Sequence, residues 1–383
     1  MKTAIVTLYH NNHNFGGQLQ AFALQNKIRE LGYDCEVIDL DVQDKYRKIK
    51  TLGIRKTVSR MCSKIAYRVQ MRLHPQLHAG LALRRERFQA FMERIPHTEP
   101  LGKHEITERA ASYNIWVTGS DQVFNPENFM QSSAYLLDHV QGKTKVAYAV
   151  SSLNGKYRKS EKAILKDSLA SFTAISAREK PLAETLSEIA GREVATVLDP
   201  TLLYPSSFYD TIAQDPPTEE PYAFVYLIHP CDALKKRLYL WCRANGLKMV
   251  IVPHAQGWYK SADEKYYDEQ ALGIGPEEWI GYLKNASVVF TDSFHGTLFS
   301  VNYHKIFWSF DKVDPSAEEA RRLRSFGFLS QVGLYSRALS YETDLAGRDL
   351  LAPPSYEQAD ECLDELRTAS ERYLKESLAG EYR

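Results

Sequence analysis

Short runs of β-branched and aromatic residues alternate along most of this chain with longer amphipathic stretches. That alternation is the pattern of βα units wrapped around a parallel sheet. In the first half the runs predict strands at about residues 3–9, 34–39, 114–118, 145–150, 172–176 and 194–198. Between the first two, residues 17–31 place Leu19, Phe22, Ala23, Ile28 and Leu31 at helical spacing and end at Gly32, a residue suited to the positive φ that closes a helix.

The segment QDPPTEEP at residues 214–221 has three prolines and no apolar side chain, and it reads as a linker. A second α/β pattern follows: strand 222–228, helix 233–245, strand 248–252, helix 276–286, strand 287–291, a helix from Gly296 and strand 305–310. After Pro353 and Pro354 comes a last helix at 356–378. The expected organisation is an N-terminal α/β domain of residues 1–213 with a basic helical insertion at about 45–95, a C-terminal α/β domain of 222–352 and a terminal helix in 353–383. Two Rossmann-like, doubly wound domains with a terminal helix resemble the GT-B arrangement, in which ligands sit between domains.

Composition narrows the function classes. The 383 residues hold 48 Lys+Arg against 48 Asp+Glu, so no net charge draws the whole molecule to nucleic acid. Cys35, Cys62, Cys231, Cys242 and Cys362 are scattered without a C-x-x-C pair, which argues against a disulfide framework or zinc ribbon and for a reducing cytoplasm. No signal-peptide core opens the chain, and no apolar run approaches the ~18 residues of a membrane span. Ligand spacings such as H-E-x-x-H are missing, so no metal is expected.

In parallel α/β sheets, ligands bind beyond the carboxyl ends of the strands. The residues there are His10 to Gly17, then Gly119-Ser120-Asp121-Gln122, Ser151-Ser152, Arg178-Glu179, His229, His254 and Asp292 to Thr297. Gly16 and Gly17 precede a helix whose first amides could hold an anion, with Asn14 beside them, or they only let helix and strand pack closely. Asp121, after Ser120, could orient a hydroxyl or take its proton, or it holds its own turn. Arg178 could grip a carboxylate or phosphate, or it pairs with Glu179 or Asp199.

In SVVFTDSFHGT a strand runs into Asp292 and Ser293 and then a helix. His295 is expected to face the cleft between the domains. There the positive end of the helix dipole favours a neutral imidazole able to accept a proton. The alternative is that Asp292 and Ser293 cap the helix and His295 makes a structural bond. Gly296 and Thr297 offer amides at the same helix start, and His229 and His254 end two strands as further candidate ligand contacts.

Taken in order, NFGGQLQAFALQNKIRELGY, TGSDQVFNP, AISAREK, VLDPTLL and TDSFHGTLFSV resemble segments of the polysaccharide pyruvyl transferase family, over about residues 2–310. The resemblance implies a GT-B-like fold. It also implies transfer of pyruvate from phosphoenolpyruvate, a co-substrate rather than a cofactor, to two hydroxyls of a sugar, galactose being a frequent acceptor, to form a cyclic ketal. By it, His295 matches the family's cleft histidine, Arg178 its phosphoenolpyruvate-binding arginine and Asp121 its acidic residue. Several members carry arginine where this chain has Ser293, so the missing charge falls to Lys305, Arg321, Arg322, Arg324 or the Gly296 and Thr297 amides. A nucleotide-sugar glycosyltransferase of the same architecture and a non-catalytic glycan-binding protein are the rival readings.

From residue 45 to 72 there are ten Lys or Arg and no acidic residue. Lys56, Arg60, Lys64, Arg68 and Arg72 recur every four positions, opposite Val58, Met61, Ile65 and Val69. Such a helix could lie on an anionic membrane and bring the enzyme to a lipid-linked oligosaccharide at the inner face of the cell membrane, or it is a packed helix with a solvated basic face. With only Tyr46 and Tyr67 to stack on bases, nucleic acid is not expected as a partner.

Overall fold

The computed structural model describes residues 1–42, 75–152, 155–218, 220–229, 231–253 and 265–382. Of these, residues 1–42, 92–203 and 364–382 form one compact unit, and 75–91 with 204–363 form a second. Each unit is built on its own parallel sheet of six strands. Among the described residues no helix is long and apolar enough to cross a membrane.

In the first unit the strands are β1 (Lys2–Val6), β2 (Asp34–Val37), β3 (Ile115–Thr118), β4 (Thr144–Val150), β5 (Ala174–Ala177) and β6 (Ala195–Thr196). They lie in the order β2-β1-β3-β4-β5-β6, all neighbours parallel. Helices cover both faces, so the inner strands read as continuous apolar runs rather than alternating ones; Ile115–Thr118 is buried at every position. The helix Phe15–Glu30 lays Leu19, Leu24 and Ile28, all fully buried, against the sheet.

The second sheet runs β12-β11-β10-β7-β8-β9. Its strands are β7 (Tyr222–Tyr226), β8 (Lys248–Ile251), β9 (Glu269–Gln270), β10 (Val288–Thr291), β11 (Phe307–Asp311) and β12 (Ala338–Ser340). Chain order reverses direction across β1 and β3 in the first sheet and across β7 and β10 in the second. At such a reversal, successive crossovers leave on opposite faces and open a crevice at the carboxyl ends. The loops after β1, β3, β7 and β10 are therefore the ones the topology singles out.

The division departs from the sequence reading in three places. Residues 204–213 count with the second unit: Tyr209 is fully buried and its ring meets Phe299 at 4.8 Å. The proline-rich stretch thus marks a surface turn, with Gln214 N bonded to Glu277 O at 3.1 Å.

Most of the helix Pro75–Glu93, in the expected insertion, also belongs there. Buried Arg84 donates to the carbonyls of Pro253 (2.8 Å) and Ala271 (3.0 Å), and Arg87 pairs with Glu278 at 3.0 Å. The terminal helix Glu357–Ala379 is divided, its residues from 364 onward counting with the first unit. The basic stretch 45–72 and His254 lie outside the described residues.

Candidate functional site

Around β1 and β3, Gln20 of the first helix ties the two loops together. Its side-chain nitrogen donates to Thr7 Oγ1 and to Gly17 O, each at 3.0 Å, and its oxygen accepts from Ser120 N at 3.1 Å. Asn14 caps the helix, accepting from Gly17 N at 2.9 Å, which is why the helix starts at Phe15 and not at Gly17. The Gly17 amide is thereby engaged within the protein. A Cβ on Gly17 would lie 2.6 Å from the Asn12 amide nitrogen, so this glycine serves close packing.

After β3 the backbone turns sharply. Gly119 has φ +123, and a Cβ there would sit 2.0 Å from Tyr148 O, so only glycine fits. Asp121 follows with φ 65 and ψ −167, a conformation non-glycine residues rarely adopt and one that costs about 1–3 kcal/mol. Its carbonyl holds it there by accepting from Val123 N (2.8 Å) and Ser151 N (2.9 Å). Its carboxylate is 13 % exposed. Ser120 is fully buried and donates to Ala149 O at 2.7 Å, a supporting residue rather than a ligand contact.

Arg178, after β5, is surrounded by carboxylates. Nε meets Glu179 at 2.7 Å, one terminal nitrogen meets Asp199 at 2.7 Å, and the other lies 3.4 Å from Asp121. The Arg178 side chain has no exposed surface. Burial alone would lower its pKa, but the three carboxylates raise it above the ordinary arginine value. Of the two readings offered by the sequence, the geometry matches the ion pair. Three carboxylates thus surround the one guanidinium and take up its donors.

In the second unit, Asp292 does not cap the helix as one sequence reading had it. Its carboxylate, 1 % exposed, accepts from Ile228 N (2.5 Å), His229 N (2.8 Å), His229 Nδ1 (3.2 Å) and the Tyr341 hydroxyl (2.7 Å). It joins the ends of β7, β10 and β12 and orients His229, whose ring is 62 % exposed. Burial, then the Asp292 charge and hydrogen bond, pushes the Tyr341 hydroxyl well above the usual tyrosine range. Neither Tyr341 nor this tie stood out in sequence, because nothing local to Asp292 reveals partners on β7 and β12.

Ser293 is the cap, its Oγ accepting from Gly296 N at 3.2 Å, and the helix Phe294–Asn302 begins two residues earlier than expected. A Cβ on Gly296 would stand 2.4 Å from Thr291 Oγ1, so the glycine lets the helix lie directly on β10. Thr297 is fully buried and bonds Ser309 Oγ at 2.9 Å, and its amide donates to Ser293 O at 2.9 Å. Gly296 and Thr297 thus build the helix start, and their amides are engaged there.

His295 sits in the first turn, 7 % exposed, its ring edge-on to Phe294 at 5.5 Å. Of the cations named for the missing arginine, Lys305 donates to Lys284 O at 2.6 Å, its pKa lowered by burial, and Arg321 lies over Tyr335 at 4.2 Å. Arg324 lies closer to the histidine helix, its guanidinium 6.0 Å from the Phe294 ring centre. Among the described residues no group of three or more His, Cys, Asp or Glu side chains could hold a metal ion.

Comparison with solved structures finds likenesses at low identity. A Listeria monocytogenes protein assigned as a UDP-N-acetylglucosamine 2-epimerase aligns with 98 % of this chain and 90 % of its own, at 10 % identity and a TM-score of 0.51. S. aureus MnaA bound to UDP aligns with 99 % of this chain and 97 % of its own, at 12 % identity and TM-score 0.48. E. coli ADP-heptose LPS heptosyltransferase II covers 96 % and 99 %, at 9 % identity and TM-score 0.36. The first likeness is one of fold, a GT-B-like α/β arrangement in two units.

No curated protein matches the chain. The family model for polysaccharide pyruvyl transferase matches residues 14–311, from the Asn14 cap of the first helix to the last residue of β11. A match that runs through both sheets and takes in the loops after β3 and β10 reaches well beyond any single motif, and the chain belongs to the polysaccharide pyruvyl transferase family.

Proposed function

We propose that this transferase moves the pyruvyl group of phosphoenolpyruvate onto two hydroxyls of a sugar, forming a cyclic ketal and releasing phosphate. The observation that carries the reading is the family match over residues 14–311. The reaction needs a proton delivered to the methylene carbon, a hydroxyl attacking the oxocarbenium-like carbon so formed, departure of phosphate, and closure by the second hydroxyl. Of the two hydroxyl protons released, one balances the proton taken by the methylene and the other leaves with phosphate.

His295 supplies the proton to carbon. It stands in the first turn of a helix at a topological switch. Asp121, held in its unusual backbone conformation with part of its carboxylate exposed, orients an acceptor hydroxyl. Arg178 is a positioning residue here: it fixes Asp121 and does not clamp the donor. With Ser293 serving as the helix cap, the cation for the donor's phosphate or carboxylate is Arg324, next to Phe294. His229, oriented by Asp292, adds a ligand contact in the second unit.

The test is incubation with phosphoenolpyruvate and a pool of glycosides, galactosides included. Phosphate release and a product heavier by pyruvate less water are expected. His295→Ala should lower kcat by about 10²–10⁴-fold with an unchanged melting curve. Consumption of a nucleotide sugar instead, or glycan binding with no phosphate release, would replace the reading with a glycosyltransferase or a binding protein.

A further inference from the structure

We infer that His10, held by Asp39, is the base that takes the proton of an acceptor hydroxyl in the first unit, an assignment that rests on the pyruvyl-transfer reading above. The two residues follow β1 and β2, which are neighbours in the sheet. They therefore share the carboxyl edge with Asp121, which follows β3 on the other side of β1.

His10 Nδ1 lies 2.8 Å from Asp39 Oδ1, with the His10 side chain 17 % and the Asp39 side chain 10 % exposed. A carboxylate only accepts, so Nδ1 carries the hydrogen and the lone pair of the neutral ring is on Nε2. Asp39 is itself fixed: its amide bonds Thr98 Oγ1 at 3.1 Å and its carbonyl accepts from Leu101 N at 2.8 Å. This is the orienting arrangement that a positioned base requires, a carboxylate behind the imidazole and a partly exposed ring ahead of it.

What faces Nε2 points to the ligand. Asn11 Nδ2 donates toward it at 2.7 Å. Asn11 is exposed and has φ 48, so its amide is presented from a surface loop and not from the core. A sugar hydroxyl is the same kind of donor and would take its place. Asp41 Oδ1, 3.8 Å from Nε2, stands where it stabilises the imidazolium formed once the proton arrives. In the step, the sugar O–H bond breaks as its oxygen bonds the pyruvyl carbon whose methylene has already been protonated. The proton passes to Nε2 and then leaves with the departing phosphate.

The full-length chain and its His10→Ala, His10→Gln and Asp39→Asn variants are assayed for phosphate release from phosphoenolpyruvate with p-nitrophenyl β-galactoside. His10→Ala is expected to lose kcat by about 10²-fold or more, with KM for phosphoenolpyruvate within about twofold and partial rescue by added imidazole. Asp39→Asn should lose about 10–100-fold. A purely structural histidine gives no imidazole rescue, and a His10→Ala variant within about threefold of wild type overturns the assignment while leaving the transfer reading intact.

Should wild type release no phosphate with any glycoside, the transfer reading falls. The His10 assignment is then decided by ¹H–¹⁵N spectra of its ring, identified by its absence in His10→Gln. An Nε2 resonance that moves on adding the galactoside supports a hydroxyl contact, and one that stays fixed at saturation overturns it.

Discussion

Replacing Arg178 with methionine keeps the side chain long and removes its charge. The carboxylates of Glu179, Asp199 and Asp121 are 11 %, 1 % and 13 % exposed, so water can replace the guanidinium only in small part. Removing one partner from a buried ion pair costs about 3–5 kcal/mol. In a protein unit of this size each kcal/mol moves Tm by about 2–4 °C, so a fall of roughly 10 °C is expected.

Urea unfolding followed by tryptophan fluorescence should show a lower midpoint at an unchanged slope. An Arg178→Met variant that melts within about 2 °C of wild type but needs about tenfold more phosphoenolpyruvate would refute the argument. Arg178 would then hold the donor and not the loop.

Gly296→Ala places a methyl 2.4 Å from Thr291 Oγ1, and overpacking of this kind should destabilise the second unit by about 1–3 kcal/mol in urea titrations. Burial alone would raise the carboxyl of Asp138, but His139 at 3.7 Å, the Ser133 hydroxyl and Lys103 at 3.8 Å bring it down to about 2. A depressed folded pKa stabilises above the unfolded value, so that contribution should vanish as pH falls from about 4 to about 2, and Asp138→Asn should flatten this part of the acid-unfolding curve. Sedimentation with anionic vesicles should show binding that weakens with salt if residues 45–72 lie on a membrane, and a version with Lys56, Arg60, Lys64, Arg68 and Arg72 changed to Gln should not pellet.

Much of the architecture was legible because parallel sheets announce themselves as apolar runs. The exceptions were β9 and β12, two and three residues long, whose pairing comes from neighbours and not from local propensity. The helix Pro75–Glu93 could be anticipated as a helix but not assigned to its unit, since the bonds from Arg84 reach carbonyls more than 160 residues away.

At the site, the strand-end rule named His10, Asp121, Arg178 and His295 from position alone. It could not tell an arginine that faces a ligand from one enclosed by Asp199 and Glu179, because that depends on where β6 lies. It also passed over Asp39, whose importance appears only once β1 and β2 are seen as neighbours.

The sharing of the terminal helix has a consequence for biosynthesis. Ser370 Oγ accepts from Leu198 N at 2.9 Å, Arg367 donates to Leu202 O at 2.9 Å, and the Tyr373 hydroxyl reaches Ala147 O at 3.3 Å. The first sheet is thus closed by residues 165 to 226 positions further along the chain. Until that helix has been synthesised the first sheet lacks its cover around Tyr148, whose ring lies 6.2 Å from that of Tyr373, so this unit cannot complete its packing while residues 204–363 are still being made.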